Sequence, residues 1–274
     1  MTDDPVRAFL AARRARIAAN VGSPLAEAAA RFVRESTVPK YSYNFDWLSR
    51  PIIQCPQDIV AMQELIWSVR PDLIIETGIA HGGSAVFSAS MLALIEYCDA
   101  AAAGETLDPA APRRRVLAID IDIRPHNRAL IEAHPLAGRI DMIEGSSTDP
   151  AVVAQARAAA ERAETVLVCL DSNHTGDHVL GELEAYAPMT SRGSYCVVFD
   201  TVVEDLPAEM FADRPWGPGN SPKTAVLAYL ERLAAEDATG IDGAPLAFAI
   251  DRDIDRKLLI SVAPEGFLRR ESRR

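Results

Sequence analysis

The amino-acid sequence predicts an α/β fold with a mostly parallel β-sheet, joined to an N-terminal helical arm. The first observation is that short apolar segments alternate with helical segments after residue 56, a pattern typical of βαβ units. The second is a glycine-rich turn between the first apolar segment and the helix that follows it. The third is size, since 274 residues of which 49% are apolar can bury a full hydrophobic core.

The composition narrows the class of protein further. A net charge of −11 excludes a general binder of nucleic acids or anionic membranes, which needs a basic surface. No apolar stretch approaches the ~18 residues of a membrane span, and the first residues lack the features of a signal peptide. The four cysteines lie far apart, which predicts reduced thiols. We therefore expect a cytoplasmic protein without a membrane span.

Residues 1–55 are predicted to form a helical and aromatic arm, and residues 56–274 the main domain. Within the arm, residues 5–35 have an alanine- and arginine-rich helical pattern that is interrupted around Gly22. A segment without a core pattern follows, and its aromatic residues are Tyr41, Tyr43, Phe45 and Trp47. Aromatic residues at this density are usually covered. The arm is expected to pack on the core or on a second subunit of a homo-oligomer, to close over a bound cofactor, or to do both.

The main domain is predicted to begin with a helix at about residues 57–69 and a buried strand at 73–75. A helix at 84–100 and a long surface loop at 101–115 follow. Further parallel strands, separated for the most part by helical segments, are predicted at residues 116–120, 140–143, 166–170 and 195–199.

Two final apolar segments, 246–250 and 257–262, flank a charged hexapeptide and predict an antiparallel hairpin at one edge of the sheet. Five parallel strands followed by such a hairpin are the arrangement of the Rossmann-like class I methyltransferase fold. Ligands of open α/β sheets bind at the carboxyl ends of the strands, so the residues at those ends are the candidates for function.

The turn after the first parallel strand, ETGIAHGGS, indicates a cofactor site. Gly78, Gly82 and Gly83 allow the backbone to bend and to approach a ligand closely. Their spacing is not the G-x-G-x-x-G of dinucleotide-binding turns, and Glu76 would repel a pyrophosphate. An acid here suits a cationic ligand such as S-adenosylmethionine, which carries an ammonium and a sulfonium. The alternative is a strand-to-helix corner that needs glycine for packing alone.

The ends of the next two strands offer polar groups for the rest of such a cofactor. Asp120 ends an apolar segment and can accept hydrogen bonds from both ribose hydroxyls. Asp122, two residues further on, is less well placed for this role and could instead form an ion pair with Arg124. Ser147 follows the third strand and could bind the adenine edge. The alternative for this segment is a simple turn in which Ser147 or Thr148 caps the next helix.

The ends of the fourth and fifth strands carry the candidate chemistry. The fourth strand ends in Asp171, and His174 follows as a candidate general base, because an imidazole titrates near neutral pH. The fifth ends in Asp200, and two neighbouring carboxylates could share one divalent cation. Asp171, His174 and His178 have the spacing of a transition-metal site, but His178 could equally pack or cap its helix.

The loop at residues 214–223, RPWGPGNSPK, follows the fifth strand and can overhang these groups. Trp216 offers an apolar face that suits stacking on a sugar ring, and Asn220 and Lys223 could contact hydroxyls or an anionic group. The alternative is a rigid loop in which Trp216 is buried in the domain.

Several of these segments carry a resemblance to a known family. They are ETGIAHGGSA, AIDIDIR, LDSNHTGDHVLGELEAY, GSYCVVFDT and RPWGPGNSPKTAV. Over roughly residues 40–265 the chain resembles the cephalosporin hydroxylase family. Despite that name, its members resemble Mg²⁺-dependent O-methyltransferases that use S-adenosylmethionine, including rhamnosyl-type enzymes of natural-product and cell-surface glycan pathways.

The resemblance implies an O-methyltransferase acting on a hydroxyl of a sugar or glycosylated metabolite. It implies that Glu76, Gly78 and Ser84 face the methionine part of the cofactor, and that Asp120 and Ser147 hold its nucleoside. His174 would be the general base, and Asp171 and Asp200 would bind the metal. Together with the turn, the predicted cofactor-binding residues are Glu76, Gly78, Gly83, Ser84, Asp120, Ser147 and Asp171.

One departure from the family pattern bears on the metal. Relatives often have two acids at the end of the fifth strand, where this chain has Phe199-Asp200. Glu204 or Asp205 could substitute, or water could complete the shell of Mg²⁺ or Mn²⁺. The competing functions are a metal-dependent hydroxylase or hydrolase that uses Asp171, His174 and His178, and a non-catalytic subunit that binds S-adenosylmethionine.

Overall fold

The structure, a computed structural model, describes residues 4–271 and confirms the α/β class. Within that range the helices are α1 Pro5–Ala18, α2 Pro24–Thr37, α3 Pro56–Val69, α4 Gly83–Ala103, α5 Pro125–Glu132, α6 Pro150–Ala160, α7 Gly176–Tyr186, α8 Pro222–Ala235 and α9 Arg252–Leu258. The strands are β1 Phe45–Trp47, β2 Arg50–Ile52, β3 Leu73–Thr77, β4 Arg115–Asp120, β5 Ile140–Glu144, β6 Val166–Leu170, β7 Tyr195–Val198, β8 Phe248–Ile250 and β9 Phe267–Arg270.

Seven of these strands form one sheet in the order β5-β4-β3-β6-β7-β9-β8. The first five are parallel, and Ile75 at the centre pairs with Leu117 on one side and Val168 on the other. The last two strands are antiparallel to β7 and to each other. All five parallel strands therefore end at one edge of the sheet, with β3 and β6 in the middle of it.

The core lies on both faces of this sheet because successive residues of a strand point to opposite sides. Ile74 packs with α3 and α4 on one face, whereas Ile75 packs with α6, α7 and α8 on the other. Helix α4 is long and apolar enough to cross a membrane by composition, but 56% of its apolar window is buried inside the protein. It is therefore a core helix of the α/β fold.

Local sequence signals set most helix starts. Proline lies in the first turn of α1, α2, α3, α5, α6 and α8, where a missing N–H costs no hydrogen bond. The predicted cap of α6 was wrong, since its cap is neither Ser147 nor Thr148. The Asp149 carboxylate accepts the N–H of Ala151 at 2.7 Å. Asp149 directly precedes Pro150, so its carboxylate lies nearer in the chain to the free N–H groups of the first turn of α6 than the hydroxyls of Ser147 and Thr148 do.

The predicted terminal hairpin is half correct. Segment 246–250 contains β8, but 257–262 forms the end of α9 and a loop rather than a strand. Asp251 caps α9, acids fill its first turn and bases its last, a charge pattern that stabilises a helix through its dipole. The antiparallel partner of β8 is β9, which lies between β8 and β7.

The arm consists of α1, α2 and the β1–β2 hairpin. The break around Gly22 is confirmed, and Ser23 caps α2. The indole N–H of Trp47 donates to the Ser90 hydroxyl at 3.0 Å, and its ring stacks edge-on against Phe87 with centroids 4.8 Å apart. Both partners belong to α4, so the hairpin packs on the core, as one of the two interpretations of the arm predicted.

Candidate active site

The glycine-rich turn between β3 and α4 lies at the carboxyl edge of the sheet. Gly78 and Gly82 have positive φ angles of 91° and 81°. A Cβ at Gly78 would overlap the carbonyl of Asp171, and one at Gly83 would overlap the carbonyl of Pro51. Packing against neighbouring backbones, the alternative explanation for these glycines, is therefore a real constraint at both positions.

Glu76 and Ser84 face each other across this turn. The carboxylate of Glu76 is buried and accepts a hydrogen bond from the hydroxyl of Ser84. Burial disfavours the charged form and raises the pKa of Glu76 to about 7, although the bond from Ser84 opposes that change. An acid with such a pKa changes its charge near neutral pH.

Asp120 shapes the other side of the turn. One of its carboxylate oxygens, Oδ2, accepts the N–H groups of Ile79 at 2.8 Å and Ala80 at 3.2 Å. The other, Oδ1, accepts the N–H of Asp122 at 3.1 Å. Because Oδ1 makes only one of these bonds, it keeps a lone pair toward which a ribose hydroxyl could donate.

His178 belongs to a hydrogen-bonded group behind the strand ends. Its Nε2 atom lies 3.1 Å from the hydroxyl of Ser147 and 3.2 Å from that of Ser172. The Ser172 hydroxyl donates to Glu182 at 2.6 Å. The hydroxyl of Ser147 thus faces α7, and its contact with an adenine remains a prediction. These bonds favour the supporting role for His178 over a metal-binding one.

Asp171, His174 and Asp200 converge at the ends of β6 and β7. One ligand atom from each lies within 4.8 Å of the others, and among the described residues this is the group with metal-site geometry. His174 Nε2 lies 3.3 Å from Asp200 Oδ2. Burial and the carboxylates of Asp200 and Glu76 raise the pKa of Asp171 well above its usual value. A cation between these acids would relieve their repulsion.

Sequence comparison identifies the family. The family model described as Rhamnosyl O-methyltransferase/CmcI matches residues 39–271. The chain belongs to this family. The rhamnosyl O-methyltransferase of Mycobacterium tuberculosis (strain ATCC 25618 / H37Rv) is 29% identical over 212 residues, which cover 77% of this chain and 72% of the relative. That of Mycobacterium leprae (strain TN) is 29% identical over 164 residues, 59% of this chain and 62% of the relative.

The structural comparison supports the same fold. The apo structure of CmcI-N160 aligns with a TM-score of 0.53 at 17% identity, covering 84% of this chain and 78% of that one. The match to the family model confirms, at the level of the family, the resemblance predicted from the motifs. In this member of the rhamnosyl O-methyltransferase/CmcI family, the Asp171–His174–Asp200 group and the turn share one edge of the sheet.

The carboxylates proposed to replace an acid at position 199 lie elsewhere. Phe199 itself is buried in the apolar core next to Asp171. Glu204 accepts the N–H of Gly219 at 2.9 Å and the hydroxyl of Ser221 at 2.7 Å. Asp205 pairs with Lys223. Glu204 and Asp205 therefore support the loop at 214–223, and the third possible ligand in this family member is the imidazole of His174.

The predicted loop at 214–223 ends at Ser221 in the structure, because Ser221 caps α8 and Lys223 belongs to that helix. The three predicted substrate residues lie in different surroundings. Trp216 stacks edge-on against His174 with centroids 4.9 Å apart, so it lies beside the candidate base. Asn220 accepts the N–H of Gly176 at 2.8 Å and donates to the carbonyl of Pro215 at 2.9 Å. Lys223 is buried and pairs with Asp205 and with Glu265. These contacts favour Trp216 as the acceptor-facing residue and scaffold roles for Asn220 and Lys223.

A cavity of about 520 Å³ opens beside His174 and Asp200. The residues that line it and that the sequence analysis did not single out include Val33, Lys40, Met210 and Phe211. The richness in aromatic residues at 41–47 was the only signal that the arm lies near the site. Cys55 also lines the cavity, but burial raises the pKa of its thiol to about 12, which keeps it protonated and a poor nucleophile.

Proposed function

We propose that the protein transfers a methyl group from S-adenosylmethionine to a hydroxyl of a sugar or of a glycosylated metabolite. The observation that carries the proposal is the position of His174, which lies beside Asp200 and faces the cavity at the strand ends. A base at that point can reach an acceptor hydroxyl while the cofactor occupies the glycine-rich turn. Membership of a family described as rhamnosyl O-methyltransferases supports the sugar acceptor.

The residues around the turn fit the cofactor chemically. The carboxylate of Glu76 suits the ammonium of the cofactor, and the free lone pair on Asp120 Oδ1 suits a ribose hydroxyl. The narrow cleft between Glu76, Ser84 and Asp171 has a volume of about 10 Å³, which is room for that ammonium group. We propose these contacts as the binding mode, with Ser147 nearest the adenine.

In the proposed reaction the acceptor oxygen attacks the sulfonium methyl carbon in line with the bond to sulfur. The C–O bond forms as the C–S bond breaks, and the sulfur leaves as a neutral thioether. His174 takes the hydroxyl proton, and Asp200 at 3.3 Å stabilises the resulting imidazolium. Catalysis then depends mainly on holding the two reactants in this geometry. Asp171 and Asp200 are the residues that would hold Mg²⁺ or Mn²⁺, which would lower the pKa of a bound hydroxyl.

Calorimetric titration tests the proposal directly. We expect the purified protein to bind S-adenosylmethionine with a micromolar dissociation constant, and absence of binding at millimolar cofactor would contradict the assignment. Turnover with a panel of acceptors that contain deoxyhexoses then separates an enzyme from a binding subunit. A protein that binds the cofactor yet methylates no member of a broad panel would favour the subunit.

The affinity for S-adenosylmethionine is expected to depend on pH through Glu76. Its pKa is about 7 in the folded protein, and only the ionised carboxylate attracts the ammonium. Binding should therefore tighten by about tenfold as the pH rises from about 6 to about 8. Calorimetry across this range measures the slope. The matched variant Glu76→Gln should bind more weakly with a flatter profile, and an unchanged slope in that variant would assign the pH dependence to another group.

We further propose that the protein is a homo-oligomer of the cytoplasm. Helix α1 has no buried residue among those described, and Val6, Phe9, Leu25 and Val38 of the arm are exposed. Such apolar surface is typical of an interface. All four cysteines are free, which suits a reducing compartment. Light scattering is expected to give at least twice the mass of 29.7 kDa for one chain, and a monomer at micromolar concentration would contradict the interface.

A further inference from the structure

The second strand of the arm hairpin, β2, lies directly on the glycine-rich turn. A Cβ at Gly83 would overlap the carbonyl of Pro51, so the two backbones touch where α4 begins. The hairpin is also fixed to α4 by the bond from Trp47 to Ser90. The arm therefore forms one side of the turn that the cofactor is proposed to occupy.

Arg50 on β2 holds the carbonyl groups of that turn. Arg50 is 6% exposed, and its Nε donates to the carbonyl of His81 at 2.8 Å. Nη2 bonds to the same carbonyl and, at 3.2 Å, to the side-chain oxygen of Asn127. Asn127 in turn donates to the carbonyl of Ala80 at 2.8 Å. Two consecutive carbonyls of the turn are thus held by Arg50, one directly and one through Asn127.

These bonds matter because the backbone of the turn is unusual. Ala80 has a positive φ of 47°, which few residues other than glycine adopt without support. Asp120 binds the N–H groups on one side of the turn, while Arg50 and Asn127 bind the carbonyls on the other. Removal of Arg50 would leave the carbonyl side unsupported and allow the turn to relax.

Gln54 reaches the same site two residues after β2. Its side chain is 4% exposed and lines the narrow cleft that also contains Glu76, Ser84 and Asp171. A side-chain amide offers two donors and an acceptor, and buried polar groups are normally hydrogen-bonded. The cleft has a volume of about 10 Å³, room for a single ammonium group, from which the side-chain oxygen of Gln54 could accept a hydrogen bond.

We propose that residues 50–54 form a wall of the cofactor site, an inference that rests on the proposed function. Arg50 is a positioning residue that acts through the backbone of the turn, and Gln54 contacts the amino-acid end of S-adenosylmethionine. The sequence analysis placed the boundary between the arm and the main domain at residue 55, which would separate Arg50 and Gln54 from the cofactor site. We assign both residues to that site.

Calorimetric titration of S-adenosylmethionine and S-adenosylhomocysteine into four variants tests the inference. Arg50→Ala is expected to raise the dissociation constant by about tenfold or more, and Gln54→Leu by about fivefold. Arg139→Ala is the matched control for Arg50, because Arg139 is 5% exposed and pairs with Glu96 at the opposite edge of the sheet. Gln57→Leu is the control for Gln54, because Gln57 lies on α3 and its side-chain oxygen is buried.

Both controls are expected to bind the cofactor within about twofold of wild type, even where their melting temperature falls. The KM for the acceptor should also stay within about twofold in Arg50→Ala, since a general loss of structure would move both constants. If Arg50→Ala does not fold, Arg50→Lys replaces it with an expected threefold or greater loss of affinity, because an ammonium lacks the fork that spans both oxygens.

The outcomes separate this inference from the proposed function. A wild-type protein that binds neither ligand would overturn both. Wild-type binding combined with affinity within about twofold in either the Arg50 variant or Gln54→Leu would overturn the inference alone. An equal loss of cofactor affinity in Arg139→Ala and Arg50→Ala would also overturn it. The effect would then follow from the loss of any buried arginine and not from the position of Arg50 beside the turn.

Discussion

Replacing His174 by alanine is expected to lower turnover by about 10²- to 10⁴-fold, the usual contribution of a general base. The imidazole lies beside Asp200 and lines the cavity proposed to hold the acceptor, whereas the proposed cofactor contacts come from the turn and from Asp120. The affinity for S-adenosylmethionine should therefore change by less than about threefold. Steady-state kinetics and calorimetry on the same preparation measure the two quantities.

The exposed His126 on α5 provides a matched control, and His126→Ala should retain the kinetics of the wild type. Full activity in His174→Ala would remove the base assignment. Loss of cofactor binding in that variant, without loss of folding, would instead place His174 at the cofactor. The base assignment requires that His174→Ala lowers turnover while leaving the affinity for S-adenosylmethionine nearly unchanged.

The second large effect is expected on removal of divalent metal. Once both are ionised around a cation, Asp171 and Asp200 supply two negative charges, which neutralise a divalent ion, whereas a third acid at position 199 would attract it further. We expect binding to be weak enough that excess chelator lowers turnover by about 10²-fold or more, and that Mg²⁺ or Mn²⁺ restores it. Unchanged turnover in excess chelator would eliminate the metal and leave methyl transfer standing.

Asp200→Asn is the most informative variant for this test, because the backbone at position 200 has a conformation that asparagine also adopts. Asp200 has a positive φ of 54°, a conformation that asparagine tolerates better than most residues. The substitution therefore removes a charge while keeping the shape of the site. A large loss of activity that extra metal partly restores would identify Asp200 as a ligand. A loss that metal does not restore would indicate instead that Asp200 acts by orienting His174.

The metal measurement also distinguishes two roles of His174 that compete for the same imidazole. A nitrogen that coordinates a metal cannot at the same time accept a proton. His174→Ala should bind Mn²⁺ as tightly as the wild type if the imidazole is the base. Weaker binding of Mn²⁺ in that variant would show that His174 fills the place left by the missing acid.

The parallel half of the fold could be predicted from sequence because each of its strands is an apolar segment with a clear end. The strand at 166–170 was predicted to the residue, and those at 116–120 and 140–143 within one residue at each end. The common edge of parallel strands then brought Asp171 and Asp200 together without further information. The candidate site followed from that edge.

The remaining features depend on distant contacts that no local pattern reveals. Strand β9 contains two arginines, and Arg270 is buried only because Thr190 and Asp242 accept its hydrogen bonds. Lys223 was predicted to meet the acceptor, but its partners include Glu265, 42 residues further along the chain. The hydrogen bond from Arg50 to the turn requires the hairpin to lie on backbone 31 residues away.

The position of β9 between β7 and β8 limits the order in which the protein can fold during synthesis. Residues 73–198 contain all five parallel strands, so that part of the sheet can assemble while the ribosome is still making the rest. Strands β7 and β8 cannot join each other, because each pairs with β9. Until residues 267–270 emerge, the nascent chain presents the open edge of β7, to which another chain could add. Of the strands in the sheet, β9 is the last to leave the ribosome, and the sheet is complete only after it has emerged.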